Sequence, residues 1–191
     1  MWNKNFNLLL IANFFLYMAV YMLFPALHRW MVSEGGYTEF QAVGTVAVFG
    51  ISLYLLGAFN NYLVDTFKRK SVCTRSLLLL ALLGLLYPYA AGWGMISLLR
   101  MLQGALLGVA LMAMGSTLVI DVTPSRYRNK ANMVFTWSGV IGMLCGVLLG
   151  CNAGCYLSFQ QQIYLFVGLC SLPVVLVSMV EVCFRAPLDL P

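Results

Sequence analysis

Six long apolar runs, separated by short polar breaks, fill almost the whole chain of 191 residues. They fall near 6–26, 40–64, 73–91, 95–120, 132–151 and 162–183. Each is close to the roughly 20 apolar residues that a helix needs to cross a hydrocarbon core of about 30 Å. The strict alternation of apolar and polar positions that marks a membrane strand is absent, so the pattern predicts helices and not a barrel. The expected fold class is all-α: a polytopic membrane protein of six transmembrane helices, one bundle over residues 1–191.

The breaks carry turn chemistry. "HRWMVSEGGYTE" separates the first two runs and contains the Gly35-Gly36 pair, while Gly92 and Gly94 mark a tight turn between the third and fourth. Pro124 marks the end of the fourth helix, because proline cannot continue the hydrogen-bond ladder. Pro25 is expected to end or kink the first helix, and Pro173 to bend the sixth. The first run is too long for a cleaved signal peptide, and the bulky "LFPALHRW" follows it where small residues would be needed, so it is expected to stay as a helix.

Composition agrees with a lipid environment. The chain is 62% hydrophobic and 9% charged, against about 25% charged in an average soluble domain. Its net charge of +5 does not point to nucleic acid, because the cations gather in the loops of one side. Lys4 precedes the first helix, Lys68, Arg69, Lys70 and Arg75 follow the second, Arg126, Arg128 and Lys130 follow the fourth, and Arg185 follows the sixth. The opposite loops hold only Arg29. The positive-inside rule then places both termini in the cytoplasm.

Six cysteines are present, at 73, 145, 151, 155, 170 and 183. No histidine or acid lies near Cys151 and Cys155, so a metal site is not expected there, and small apolar packing is preferred to a disulfide. His28, the single histidine, lies in a loop. With no paired carboxylates and no ligand cluster, neither an enzyme nor a bound cofactor is expected.

A few polar residues stand out against this background. Asp65 closes the second run just before a cluster of cations. A carboxylate at a helix C-terminus is disfavoured by about 0.3–1 kcal/mol, so Asp65 is either a solvated surface acid or is compensated by Arg69, Lys70 or Arg128. Asn60 and Asn61 lie just before it. Arg100 lies within the fourth run, where arginine costs about 2.5–3.5 kcal/mol on insertion scales. It either snorkels to the headgroups or meets a polar partner, with Gln103 on the same helix face. Asn13, Tyr17 and Tyr21 place an amide and two phenols on one face of the first helix, for interhelical hydrogen bonds or for a cavity wall. Gly139, Gly142, Gly146 and Gly150 form a small-residue stripe that permits close helix approach. Glu181 stands four before Arg185, the spacing of a helical ion pair. No Asp or Glu lies deep in a predicted span, so a proton-coupling acid is not evident in this chain.

Order and spacing tie several of these residues together. Asp65, Arg69 and Lys70 fit a loop pattern after the second helix, with Asn61, Thr66 and Lys68 departing from it. Arg100, Gln103 and Gly104 fit an Arg-x-x-Gln-Gly pattern in the fourth helix. Asp121, Pro124, Arg128 and Ala131 fit an acid–proline–arginine–alanine pattern after it. Gly142, Gly146 and Gly150 fit a glycine-rich pattern in the fifth, with Val147 and Leu149 in place of its proline and a further glycine. Over nearly the whole chain this resembles the N-terminal six-helix half of a major facilitator superfamily transporter.

The resemblance implies a 3+3 inverted repeat of helices and secondary active transport of a small solute by alternating access. It implies a multi-pass position in a bilayer, here a bacterial plasma (inner) membrane. It assigns Arg100, Gln103, Asn13, Tyr17 and Tyr21 to the substrate cavity. Asp65, Arg69, Asp121 and Arg128 become a cytoplasmic gate, and the four glycines become helix packing. The expected partners are lipid, a small-molecule solute and a second six-helix bundle, either a missing C-terminal half or another copy. The tail "FRAPLDLP" reads as the start of a central linker. Antiport is not implied, given Val147 and Leu149. The alternatives are a non-transporting six-helix assembly or regulatory subunit, or a truncated inactive relic; the presence of both Arg100 and Gln103 favours the carrier.

Overall fold

A computed structural model describes residues 2–55, 59, 62–63 and 66–181, and its ordered elements are all helical. Helix α1 spans Lys4–Ser33, α2 Glu39–Leu55 and α3 Arg69–Gly84, the last followed by a 3-10 turn at Tyr87–Tyr89. Helix α4 runs Trp93–Asp121, α5 Arg128–Tyr156 and α6 Phe159–Ser178. Five stretches, Lys4–Ser33, Arg69–Tyr89, Trp93–Asp121, Ser125–Tyr156 and Phe159–Ser178, are long and apolar enough to cross a membrane. Glu39–Leu55 is a shorter apolar helix, and the remainder of the predicted 40–64 span lies mostly outside the described residues.

Boundaries move for physical reasons. Helix α1 continues through Pro25 to Ser33, so of the two expectations, an end or a kink, the end is corrected. A proline removes one ladder bond and clashes locally, but the turns beyond it are held by burial of Ala26, Leu27 and Met31. Pro173 also sits inside its helix. Helix α5 outruns its predicted 132–151 at both ends, because Arg128, Asn129 and Lys130 are polar without being helix breakers. Helix α6 stops at Ser178, short of the predicted 183.

The starts and turns follow local chemistry. Asn3 caps α1 by accepting from the Phe6 amide at 2.7 Å, satisfying one of the orphan donors of a first turn. Ser158 and Gln161 form a reciprocal capping box at the start of α6. Gly36 and Gly92 have φ of 68° and 85°, a region open to glycine, at the two turns where sequence places a break.

The packing has a clear pattern. Helix α1 lies along α5 and α6, α4 lies along α2 and α3, and α3 meets α6, whereas α1 and α2 touch only slightly. At the α1–α5 contact the backbones meet directly. A Cβ added at Gly142, Gly146 or Gly150 would fall on the carbonyl oxygens of Phe14, Met18 and Met22, and Gly150 also faces the Pro25 ring. Gly104 makes the comparable contact for α4, against Ser52 and the Phe49 carbonyl of α2. Without a hydrophobic drive between helices in lipid, such close approach is the main source of association.

Candidate functional site

One end of the bundle is basic, and short polar contacts knit it. Asn3 donates to the Val122 carbonyl at the end of α4, 2.8 Å away. Asn5 donates to the Glu181 carbonyl at 2.8 Å and accepts from the Glu181 amide at 3.2 Å. Lys70 donates to the Val180 carbonyl at 2.8 Å. Glu181 therefore lies beyond the helix, where its backbone joins the start of α1 to the segment after α6. The helical pair expected between Glu181 and Arg185 has no helix to carry it at position 181, and Arg185 lies outside the described residues.

Of the expected gate, the structure brings together Arg69 and Asp121. One guanidinium nitrogen lies 3.0 Å from each carboxylate oxygen, linking the start of α3 to the end of α4. The pair is partly exposed, which places its strength at about 0–1 kcal/mol and makes it easy to break. Arg128 stands at the start of α5, and its buried Nε has no partner among the described residues. Asp65, with Asn60 and Asn61, lies outside the described residues.

The π-helical stretch Met112–Leu118 sits in α4 just before Asp121. Thr117 bonds back to the Ala113 carbonyl there. Single wide turns of this kind relax the backbone ladder and are often found at functional positions.

Arg100 is wholly enclosed, at 0% exposure, in the first third of α4. It does not snorkel. Its Nη2 donates to the Leu23 carbonyl of α1 at 3.2 Å. Its guanidinium carbon lies 4.8 Å from the Phe24 ring centre, 5.5 Å from Phe49 and 5.9 Å from Tyr87. Cation–π attraction of this sort is worth about 2 kcal/mol or more when desolvated. Gln103 accepts from the Tyr87 hydroxyl at 2.7 Å. Arg100 Nε and Nη1 and Gln103 Nε2 have no partner among the described residues. The aromatic box of Phe24, Phe49 and Tyr87 escapes sequence reasoning, because in an apolar run a phenylalanine beside a cation looks like one beside lipid.

Asn13 is also buried and donates to the Phe135 carbonyl and the Ser138 hydroxyl of α5, both at 2.9 Å. Tyr17 and Tyr21 stack with ring centres 5.9 Å apart and planes 10° apart, and Tyr21 leads on to Phe24 at 5.2 Å. Both phenols are half-buried, and Tyr54 of α2, exposed, stands near them. The expected cavity residues thus divide. Arg100, Gln103 and Asn13 lie in the packed interior, while Tyr17 and Tyr21 border the loosely packed side between α1 and α2.

At the far end, His28 Nε2 lies 3.0 Å from a Glu39 carboxylate oxygen, joining α1 to α2. Cys151 and Cys155 are free and exposed rather than packed, a correction to the sequence expectation. They sit in the last turns of α5, where few neighbours remain, and the Cys155 sulfur lies 3.9 Å from Arg29 Nη1.

A family model, that of the Major Facilitator Superfamily, matches residues 9–187. No curated protein matches the chain.

Proposed function

The chain belongs to the Major Facilitator Superfamily, and from that premise we propose that it moves a small solute across the membrane by alternating access, as one helical half of a carrier. The observation that carries this is the row Tyr17, Tyr21 and Tyr54 on the loosely packed side of α1 and α2. Phenols within a span are poorly suited to hydrocarbon and well suited to a water-lined cavity. A single bundle presents half of such a cavity, and the second half is a further six-helix bundle, in the same polypeptide or in another copy.

The packing partners support an inverted 3+3 repeat. Exchanging α1 with α4, α2 with α5 and α3 with α6 turns the α1–α5 contact into α4–α2 and the α1–α6 contact into α4–α3, and leaves α3–α6 in place. Inverted repeats of this type place substrate sites at their interface. The basic loops support cytoplasmic termini, which go with an even number of crossings, here six, and with an inner position for a gate at Arg69 and Asp121; the membrane that completes this reading is a bacterial inner membrane.

The alternative, a non-transporting subunit, gains from one observation: the enclosure of Arg100 makes that residue useful to packing as well as to transport. The two readings separate by cysteine accessibility. In proteoliposomes, a cysteine at Tyr21 is expected to react with a water-soluble thiol reagent from one side at a time. Its reactivity is expected to change when a panel of labelled sugars, organic acids and hydrophobic cations is supplied. A cysteine there that is inert to reagent from both sides would overturn the cavity.

A further inference from the structure

The end of the bundle opposite the basic loops carries two thiols on one helix face. Cys151 and Cys155 stand four apart in the last turns of α5, both free and both exposed. Side chains four apart on a helix lie one above the other. The Cys155 sulfur leans back towards the earlier turn, 3.7 Å from the Cys151 carbonyl oxygen. A third group meets them from α1. The Arg29 side chain lies flat over Gly154, where an added Cβ would fall 3.0 Å from Nη1 and 3.4 Å from Cδ, and the same Nη1 is 3.9 Å from the Cys155 sulfur. Arg29 has no acidic partner among the described residues. Its cation is therefore set against a thiol, in a place that a glycine keeps open. The chain around these residues, from α1 into the turn at Gly36 and from α5 into α6, is described without a break.

Spacing decides what the pair can hold. Cβ atoms four apart on a helix are about 5–6 Å from each other, beyond the roughly 3.5–4.5 Å of a disulfide. A metal–thiolate bond is about 2.3 Å, so a linear sulfur–metal–sulfur bridge sets two sulfurs about 4.6 Å apart, which side chains at this spacing reach by rotation alone. No group of three or more His, Cys, Asp or Glu side chains able to hold a metal occurs among the described residues. His28, next to Arg29 in the chain, is turned to Glu39 instead. Zinc, which takes four ligands in structural sites, and hard cations, which take oxygen, are unsuited to such a pair. Sulfur alone suits a soft cation, and thiolates select copper(I).

We propose that Cys151 and Cys155 form a two-coordinate thiolate site for one soft monovalent cation, copper(I) or silver(I), with Arg29 as its charge partner. Binding displaces the proton of each thiol to solvent, so two thiols and one monovalent cation give a singly negative bis-thiolate complex and two protons. Arg29, already against Cys155, balances that negative charge. The site takes no part in solute transport, so it stands or fails separately from the carrier reading.

The test uses the full purified chain in detergent, without oxygen or added thiol. Copper(I) is presented by a coloured chelator, and its transfer to the protein is read from the loss of colour. The chain is expected to take one copper(I), and silver(I) to displace it. Cys151→Ser and Cys155→Ser are each expected to lose that equivalent, and at exposed positions both should fold normally. Arg29→Gln should keep the stoichiometry and weaken the affinity by about two- to fivefold, the scale of an exposed charge pair. Copper(I) should also protect both cysteines from a maleimide, whereas zinc(II) at equal concentration should not. Retention of the equivalent in the Cys151→Ser/Cys155→Ser variant would give the metal to other thiols and overturn the proposal. So would a single serine variant that binds as the native chain does, or protection by zinc(II) as complete as by copper(I). An isolated chain in which Cys151 and Cys155 are joined as a disulfide, and which takes up no copper(I) after reduction, would overturn it too.

Discussion

Arg100 carries two buried guanidinium nitrogens without a partner among the described residues, and that makes its replacement informative. Replacing buried charge with an apolar side chain of similar volume is commonly neutral or stabilising by about 1–4 kcal/mol. Arg100→Met should therefore melt at or above the temperature of the native protein, whereas Arg100→Ala should lose about 2–5 kcal/mol to the cavity it leaves among Phe24, Phe49 and Tyr87. If the arginine also serves transport, Arg100→Met will be stable and inactive in proteoliposomes. A stable and active variant would confine Arg100 to packing. At Gly146 the expectation is opposite in sign. A Cβ would fall on the Met18 carbonyl, so Gly146→Leu must push α1 and α5 apart, at a cost of about 1–3 kcal/mol or more, read as a lower melting temperature. The glycine stripe was legible because small residues at steps of three and four have one dominant use in lipid. The surroundings of Arg100 were not, because sequence shows the charge and not which of many aromatics fold around it.

At the scale of elements, α4 holds the most consequential irregularity. A wide turn spread over Met112–Leu118 accommodates about one residue more than an α-helix would over the same rise. Deleting Gly115 should therefore return the segment to α-helix and leave Asp121 still facing Arg69. Cysteines placed at 69 and 121 should be joined by a short bifunctional maleimide with and without the deletion, since the reach of the arginine that they replace exceeds a disulfide. Loss of that cross-link would mean that the wide turn sets the register of the helix end. Retention of the cross-link with loss of transport would make the turn a hinge. Nothing in "MAMGSTL" announces this turn, since its composition suits an α-helix as well. The all-helical class and the rough position of five long apolar helices, by contrast, were legible from the apolar runs. The ends were not, because hydropathy marks where hydrocarbon stops, and Arg128–Tyr156 shows a helix continuing past that point on polar residues.

At the scale of the whole molecule the decisive question is which end faces the cytoplasm, and the chain carries its own probes. Cys151 and Cys155 are exposed at the end opposite the basic loops, while Cys73 and Cys170 are buried. The excess of Lys and Arg at one end sets orientation through short loops close to the spans. With the basic end inside, a membrane-impermeant maleimide added to intact cells should label Cys151 and Cys155. The Cys151→Ser/Cys155→Ser variant should then stay unlabelled in intact cells. A cysteine introduced at Arg126, in the exposed turn Ser125–Tyr127, should behave in the opposite way and react only after permeabilisation. Labelling in the reverse order would turn the bundle over. Arg69 and Asp121 would then close an outer gate. The same reagent thus fixes the direction in which the tyrosine-lined side must open, because a cysteine at Tyr21 protected from outside and reactive from inside is meaningful only once the ends have been assigned.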